Sequence, residues 1–209
     1  EHKSIEEYSE FLRKKTYMLA NPFEKDNNFL NTNPLKGHKS PKKIVTPASS
    51  EKMICEVENL RTLDCRLLQS KNYEVFFAKA KDIPNILHEI GRLREITFRE
   101  VGEGTNESID LDKYDQYYRH LFLWDDETNK IAGAYRMGLG CEIYPKYGMD
   151  GFYLNGLFRF EPELHEMLHK SIEMGRAFII KEYQQKPMPL FLLWRGIIHT
   201  TLHYPEHKY

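Results

Sequence analysis

Nowhere in the 209 residues is there an apolar run long enough to span a bilayer, the pattern of a secretory signal, or a glycine-rich phosphate loop of either common type. Contact with a membrane is therefore expected to be peripheral, on the inner face of the cytoplasmic membrane, and the cytoplasm is the expected location. Cysteine is scarce. Cys55, Cys65 and Cys141 have no metal-ligand spacing, and an odd number suits a reducing compartment. Charge of one sign is also lacking: thirty basic residues face thirty-one acidic ones, for a net charge of -1, which argues against a nucleic-acid binder working by bulk charge. What the chain does have is apolar material, 41% of residues with 13% aromatic, enough for a core. It begins with Glu1 rather than Met and stops at His-Tyr-Pro-Glu-His-Lys-Tyr, so a piece of a longer polypeptide is expected.

Three divisions are expected. Residues 1–20 hold Ile5, Tyr8, Phe11, Leu12 and Leu19 at helical spacing behind Ser4, a helix with one uncovered apolar face that suits the tail of a preceding domain. Residues 21–50, with Pro22, Pro34, Pro41 and Pro47 and a basic run at 36–43, read as linker. Residues 51–209 form the main domain. In it a helix is predicted from Ser50 to about Gln69 and a first strand over 73–80. Asp82 is expected to cap a helix from Ile83 to Val101.

Arg94 falls in the middle of the apolar face of that helix, at about 100° per residue, where a charge needs a partner. A glycine-rich then acidic segment follows, with Asp110, Asp112 and Asp115 around Tyr114. Residues 120–124 and 131–140 then read as an antiparallel hairpin. Strict alternation in its second strand puts Ile131, Gly133, Tyr135 and Met137 on one face and Ala132, Ala134, Arg136 and Gly138 on the other. Arg136 thus stands among small residues. Residues 145–160 read as a loop with an aromatic strand or turn, and 162–169 as a short helix.

The stretch from Ser171 to Leu202 combines a strand, a loop bounded by prolines and a helix apolar on nearly every side. Its strand carries Glu173 and Arg176 in a run otherwise fit for burial on both faces, and buried charge is costly unless paired or used. The helix starts at Pro187 and Pro189 and belongs under a sheet. The expected fold is α/β (α+β), a mixed and mostly antiparallel sheet flanked by helices.

His165, Glu166 and His169 spell the zinc-peptidase pattern His-Glu-x-x-His. The helix after Pro162 is short, leads straight into the strand and offers no third ligand, so no metal site is assigned and a zinc metallopeptidase is kept as a remote alternative.

The order of the charged residues is more informative than any one of them. Arg94 in LREITFREVG, the aspartates of DLDKYD, then His-Leu, IAGAYRM and EMGRAFI together resemble the acyl-carrier-dependent branch of the GNAT-like acyltransferases. The N-acyltransferases that make ornithine and glycine lipids, often called hemolysins, are nearer than the acyl-homoserine-lactone synthases. The resemblance covers about Tyr73 to Tyr209 and implies a GNAT-like sheet, incomplete after its last helix. It implies transfer of a fatty or 3-hydroxy fatty acyl group from acyl carrier protein to the amino group of an amino acid, glycine or ornithine. The site residues it implies are Arg94, Asp112, Asp115, Arg136, Glu173 and Arg176, of which Glu173 is expected to act as catalytic base and the others as substrate-binding groups. It also implies an upstream glycerolipid acyltransferase domain in some members. No bound cofactor is expected, the donor being the acyl-phosphopantetheine arm of the carrier. Where CoA-dependent relatives have a glycine turn for the pyrophosphate, this chain has KEYQQKPMP, whose prolines lack N–H groups, and this favours a carrier thioester. A non-catalytic carrier-binding or docking domain is the alternative.

Overall fold

The computed structural model describes residues 40–209, so the expected helix at 5–19 and most of the expected linker lie outside the described residues. Chain contacts divide the protein into Glu1–Lys39 and Ser40–Tyr209. Within the second unit the first ten residues are extended and held, Lys42 and Val45 donating backbone N–H groups to the carbonyls of Asn106 and Ser108.

Helix α1 (Ser50–Thr62) starts at Ser49, whose hydroxyl accepts from the Lys52 amide, and ends before Asp64, whose φ of 55° is left-handed. The predicted continuation to Gln69 is instead strand β1 (Arg66–Ser70), which turns at Lys71 into β2 (Tyr73–Lys79). Leu67 and Leu68 fit either period, and Asp64 breaks the helix first. Helix α2 (Pro84–Glu100) has no side-chain cap from Asp82. Its first N–H groups, those of Asn85 and Ile86, are met by Glu56 of α1 at 2.8 Å each, so the cap comes from a neighbouring helix.

The sheet continues with β3 (Arg119–Asp125), β4 (Lys130–Leu139) and β5 (Ile172–Ile179) in the order β1-β2-β3-β4-β5, every neighbouring pair antiparallel. The hairpin of β3 and β4 forms as expected, with one change. Leu123 pairs with Gly133 but Trp124 with Ile131, so Ala132 is an extra residue, and Ile131 and Ala132 exchange the faces that strict alternation assigns them. One sheet face packs Phe76, Phe122, Trp124 and Ala134 against α1 and α2. The other packs Val75, Leu121, Leu123 and Met137 against helix α6 (Pro187–His203). Between β4 and β5 lie α3 (Gly140–Tyr147), where the sequence suggested only a loop, and the single-turn α4 (His165–His169); α5 (Lys181–Gln184) joins β5 to α6.

β5 is not buried on both faces, since Met174 stands in solvent. Only the start of its outer edge is covered among the described residues. The Tyr209 N–H donates to the Lys170 carbonyl and the Tyr209 carbonyl accepts from Ile172, a single parallel bridge. From Glu173 onward that edge has no neighbouring strand among the described residues.

α6 lies under the sheet by Leu192, Leu193, Gly196 and Ile197, while Leu190, Phe191, Trp194 and Ile198 face outward. No helix among the described residues is long and apolar enough to cross a membrane.

Candidate active site

Six of the expected site residues converge. Arg94, from α2, is only 1% exposed. Its Nε donates to Asp110 Oδ2 at 3.0 Å, its Nη1 and Nη2 donate to the two Asp115 oxygens at 3.1 and 2.9 Å, and Nη2 also donates to the Asp110 carbonyl. A guanidinium so satisfied is an interior strut. Two-point pairing of this kind fixes orientation as well as charge.

The acidic segment gains its shape from its own carboxylates. Asp112 Oδ1 accepts from the amides of Tyr114 and Asp115 while Asp115 Oδ2 accepts from the Asp112 amide, a reciprocal cap on a short 3-10 turn. Burial would raise the Asp115 carboxyl, but Arg94 and Arg136 outweigh it and hold the group below the usual carboxylate range. At Asp110 burial prevails over Arg94 and Arg176 and the pKa is raised.

Arg136, from β4, is 2% exposed and donates to Asp112 Oδ1 at 2.7 Å, with Asp115 Oδ2 at 3.2 Å. The rings of Tyr114, Tyr118 and Tyr153 surround it, with centroids 5.2 to 5.6 Å from its guanidinium carbon. The small residue beside it does not leave a gap for a ligand: the Tyr118 ring fills the space over Gly138, where a Cβ would come within 2.4 Å of the ring.

Glu173, on β5, is 7% exposed. It accepts from the Tyr118 hydroxyl, from the Tyr153 amide at 3.2 Å and from the Leu154 amide at 2.7 Å. It joins the cluster through tyrosines rather than through an ion pair. Burial, together with the Glu173 carboxylate, drives the Tyr118 phenol far above its ordinary pKa.

Arg176 differs from the other two arginines. β5 carries one residue more than β4 at this point, Ala134 pairing with Phe178 but Arg136 with Gly175, so Arg176 and Ala177 share one position of the ladder. Arg176 has φ 52°, a left-handed backbone that costs a non-glycine residue roughly 1–2 kcal/mol. Its Nη1 reaches Asp110 Oδ2 at 3.3 Å, its Nη2 stands 4.0 Å from Asp112 Oδ2, and its buried Nε has no partner. With Phe98, Glu103, Arg136, Tyr153, Gly175 and Ala177 it lines a cleft of about 330 Å³. A second groove of about 340 Å³ shares Phe98, Glu103 and Ala177 and runs past Tyr135, Ile179 and Gln184 to Leu190 at the start of α6.

Four participants escaped the sequence reading as site residues. Asp110 was seen only as part of an acidic loop, and Tyr118 and Tyr153 carry no pattern of their own. His120 was seen only as part of a motif. It is wholly buried, its Nε2 lies 3.0 Å from the Asp115 carbonyl, its Nδ1 has no partner, and burial pushes its pKa down to about 4. The neutral ring therefore donates from Nε2 and braces the turn that carries Asp115.

The His-Glu-x-x-His stretch has ordinary packing duties. Tyr144 stacks on His169 at 5.1 Å, and Glu166 pairs with Lys170 one turn on. Among the described residues no group of three or more acidic, histidine or cysteine side chains is arranged to hold a metal. His207 Nε2 accepts the backbone N–H of Cys141 at 3.3 Å, in the first turn of α3.

Residues 93–194 match the acetyltransferase (GNAT) domain family. The antiparallel sheet with helices on both faces is accordingly a GNAT-like α/β fold. The chain is also 34% identical over 177 residues to the glycine N(alpha)-acyltransferase of Bacteroides thetaiotaomicron and, to the same degree, to that of Phocaeicola vulgatus. Each alignment takes in 79% of this chain, but 52% and 54% of the relatives, so the chain spans about half the length of the curated relatives it matches. No solved structure matches it. The GNAT match includes Arg94, all three aspartates, Arg136, Glu173 and Arg176.

Proposed function

We propose that this GNAT-like domain forms an amide, moving a fatty acyl group from the thioester of acyl carrier protein to the amino group of an amino acid, glycine by preference, in the synthesis of an aminolipid. The observation that carries the proposal is the bulge at Arg176 in β5, beside a cleft lined by arginine and tyrosine.

In this reading the donor arm lies in the groove from Leu190 and Gln184 towards Ala177, and its thioester carbonyl meets the bulge. The extra residue there is left out of the ladder, so a backbone N–H can stabilise the oxyanion. The amine nitrogen bonds to the carbonyl carbon, the carbon–sulfur bond breaks, and the sulfur leaves as the carrier thiol. The ammonium gives one proton to Glu173 through a water, and the second passes from nitrogen to the departing sulfur. Arg94, Arg136, Asp110 and Asp115 hold the site in shape.

A carrier thioester is favoured over CoA because α6 begins with Pro187 and has Pro189 two residues on, which removes two of the N–H groups a pyrophosphate would use. Relatives named for glycine acylation support glycine as acceptor.

The test is incubation of the full chain with glycine and either an acyl carrier thioester or the matching CoA thioester, followed by mass spectrometry. N-acylglycine formed faster from the carrier thioester is expected. Carrier binding without any N-acylglycine would replace this reading by that of a carrier-docking domain.

A further inference from the structure

The geometry points to Arg176 and Asp112 as a pair that recognises the two charges of a free amino acid, the guanidinium taking its carboxylate and Asp112 Oδ2 its ammonium. Its biological purpose rests on the acyltransferase reading; its test does not.

Each of the three clustered arginines can be ranked by how much of its hydrogen-bonding capacity is already used. Arg94 makes four hydrogen bonds and is closed to solvent. Arg136 is bonded to Asp112 and boxed in by three tyrosine rings. Arg176 has one hydrogen bond, at 3.3 Å, and its side chain is 21% exposed at the cleft. Arg136 also makes a single hydrogen bond but is only 2% exposed, so Arg176 is the most accessible of the three guanidiniums with donors left, and planar two-point contact with a carboxylate is what a guanidinium does best.

The carboxylates divide in the same way. Both Asp115 oxygens are taken by Arg94, and Asp110 is closed to solvent against Arg94. Asp112 places three donors on Oδ1, those of Arg136, Tyr114 and Asp115, and none within hydrogen-bonding distance on Oδ2. Its side chain is 28% exposed, and Oδ2 faces Arg176 Nη2 across 4.0 Å, too far for a direct bond. A free acceptor and a set of free donors thus stand close together without satisfying each other. A zwitterion would complete both, whereas a simple amine would leave the arginine unmet and a carrier phosphate would leave the aspartate unmet. Tyr153, whose ring lies 5.5 Å from the Arg176 guanidinium, stiffens the arrangement from one side.

The test is a heteronuclear NMR titration of the full chain with glycine, glycinamide and methylamine, without any acyl donor. Glycine is expected to shift the cleft signals and to bind at least about tenfold more tightly than the other two, the loss expected for one charged contact. Arg176→Gln, Arg176→Lys and Asp112→Asn should each weaken glycine by a similar factor, while Glu103→Gln, on the same cleft, should not. Equal binding of glycine and glycinamide, no shift with glycine at millimolar concentration, or loss in Glu103→Gln with retention in Asp112→Asn would each overturn the assignment. Glycine binding as stated, with no acyl transfer from any thioester, would sink the acyltransferase reading and leave this one standing. Acyl transfer that accepts glycinamide as readily as glycine would do the reverse.

Discussion

Arg94 and Asp115, twenty-one residues apart in sequence, meet in a two-point ion pair closed to solvent, one nitrogen on each carboxylate oxygen. Helix α2 is thereby fixed to the acidic turn, and that turn in turn holds Arg136.

Breaking this pair should cost more than its own attraction. Arg94→Ala leaves Asp110 and Asp115 buried without their partner, and a loss of about 3–5 kcal/mol is expected from urea unfolding. Arg94→Lys should lose nearly as much, since an ammonium cannot span both aspartates.

His120 should give the domain an acid-sensitive stability. Its pKa falls from an ordinary 6.5 to about 4 on folding, so the stability it protects is complete above 6.5 and lost as pH drops towards 4. The loss is on the order of 3 kcal/mol. Asp115, whose pKa is also depressed, adds to the fall at lower pH, whereas Asp110, whose pKa is raised, opposes it. Unfolding free energies measured from pH 7 to pH 4 should decline steeply, and His120→Gln should flatten the slope between pH 6.5 and 4.

Gly138→Ala should act on the site without touching it. The new methyl would press on the Tyr118 ring, which is locked between Glu173 and Arg136. A loss of about 1–3 kcal/mol in stability is expected by thermal unfolding, with a lower rate of acyl transfer as Tyr118 is displaced.

Glu173→Gln separates a proton acceptor from an anchor. The amide oxygen can keep the Tyr118 and Tyr153 donors that share Oε2, but its NH2 then faces the Leu154 amide, so a loss of about 1–3 kcal/mol is expected by thermal unfolding, while acyl transfer falls by about 10²–10⁴. Transfer at the normal rate would restrict Glu173 to holding the loop.

Much of the site was legible because charges on apolar faces are rare and need an explanation. Arg94 on the inner side of α2, Arg136 among small residues and Glu173 and Arg176 in an apolar strand stood out for that reason, and the structure gathers them. What was illegible depends on contacts that no local pattern encodes. The capping of α2 by Glu56 comes from another helix. The extra residues at Ala132 in β4 and at Arg176 in β5 shift the register of two strands without any mark in their composition. The ring of tyrosines forms only when Tyr153 reaches the segment that carries Tyr114 and Tyr118, thirty-five residues earlier than Tyr153 in the case of Tyr118. Helix α3 was missed because Pro145 reads as a breaker, yet it lies inside the last turn of an eight-residue helix that ends two residues later at Tyr147.

The two amide hydrogen bonds from Tyr153 and Leu154 to Glu173 tie the roof of the cleft to the strand that forms its floor. Tyr153 is therefore anchored to the same strand that carries Arg176. The guanidinium and its aromatic cover are parts of one piece rather than walls that can shift independently.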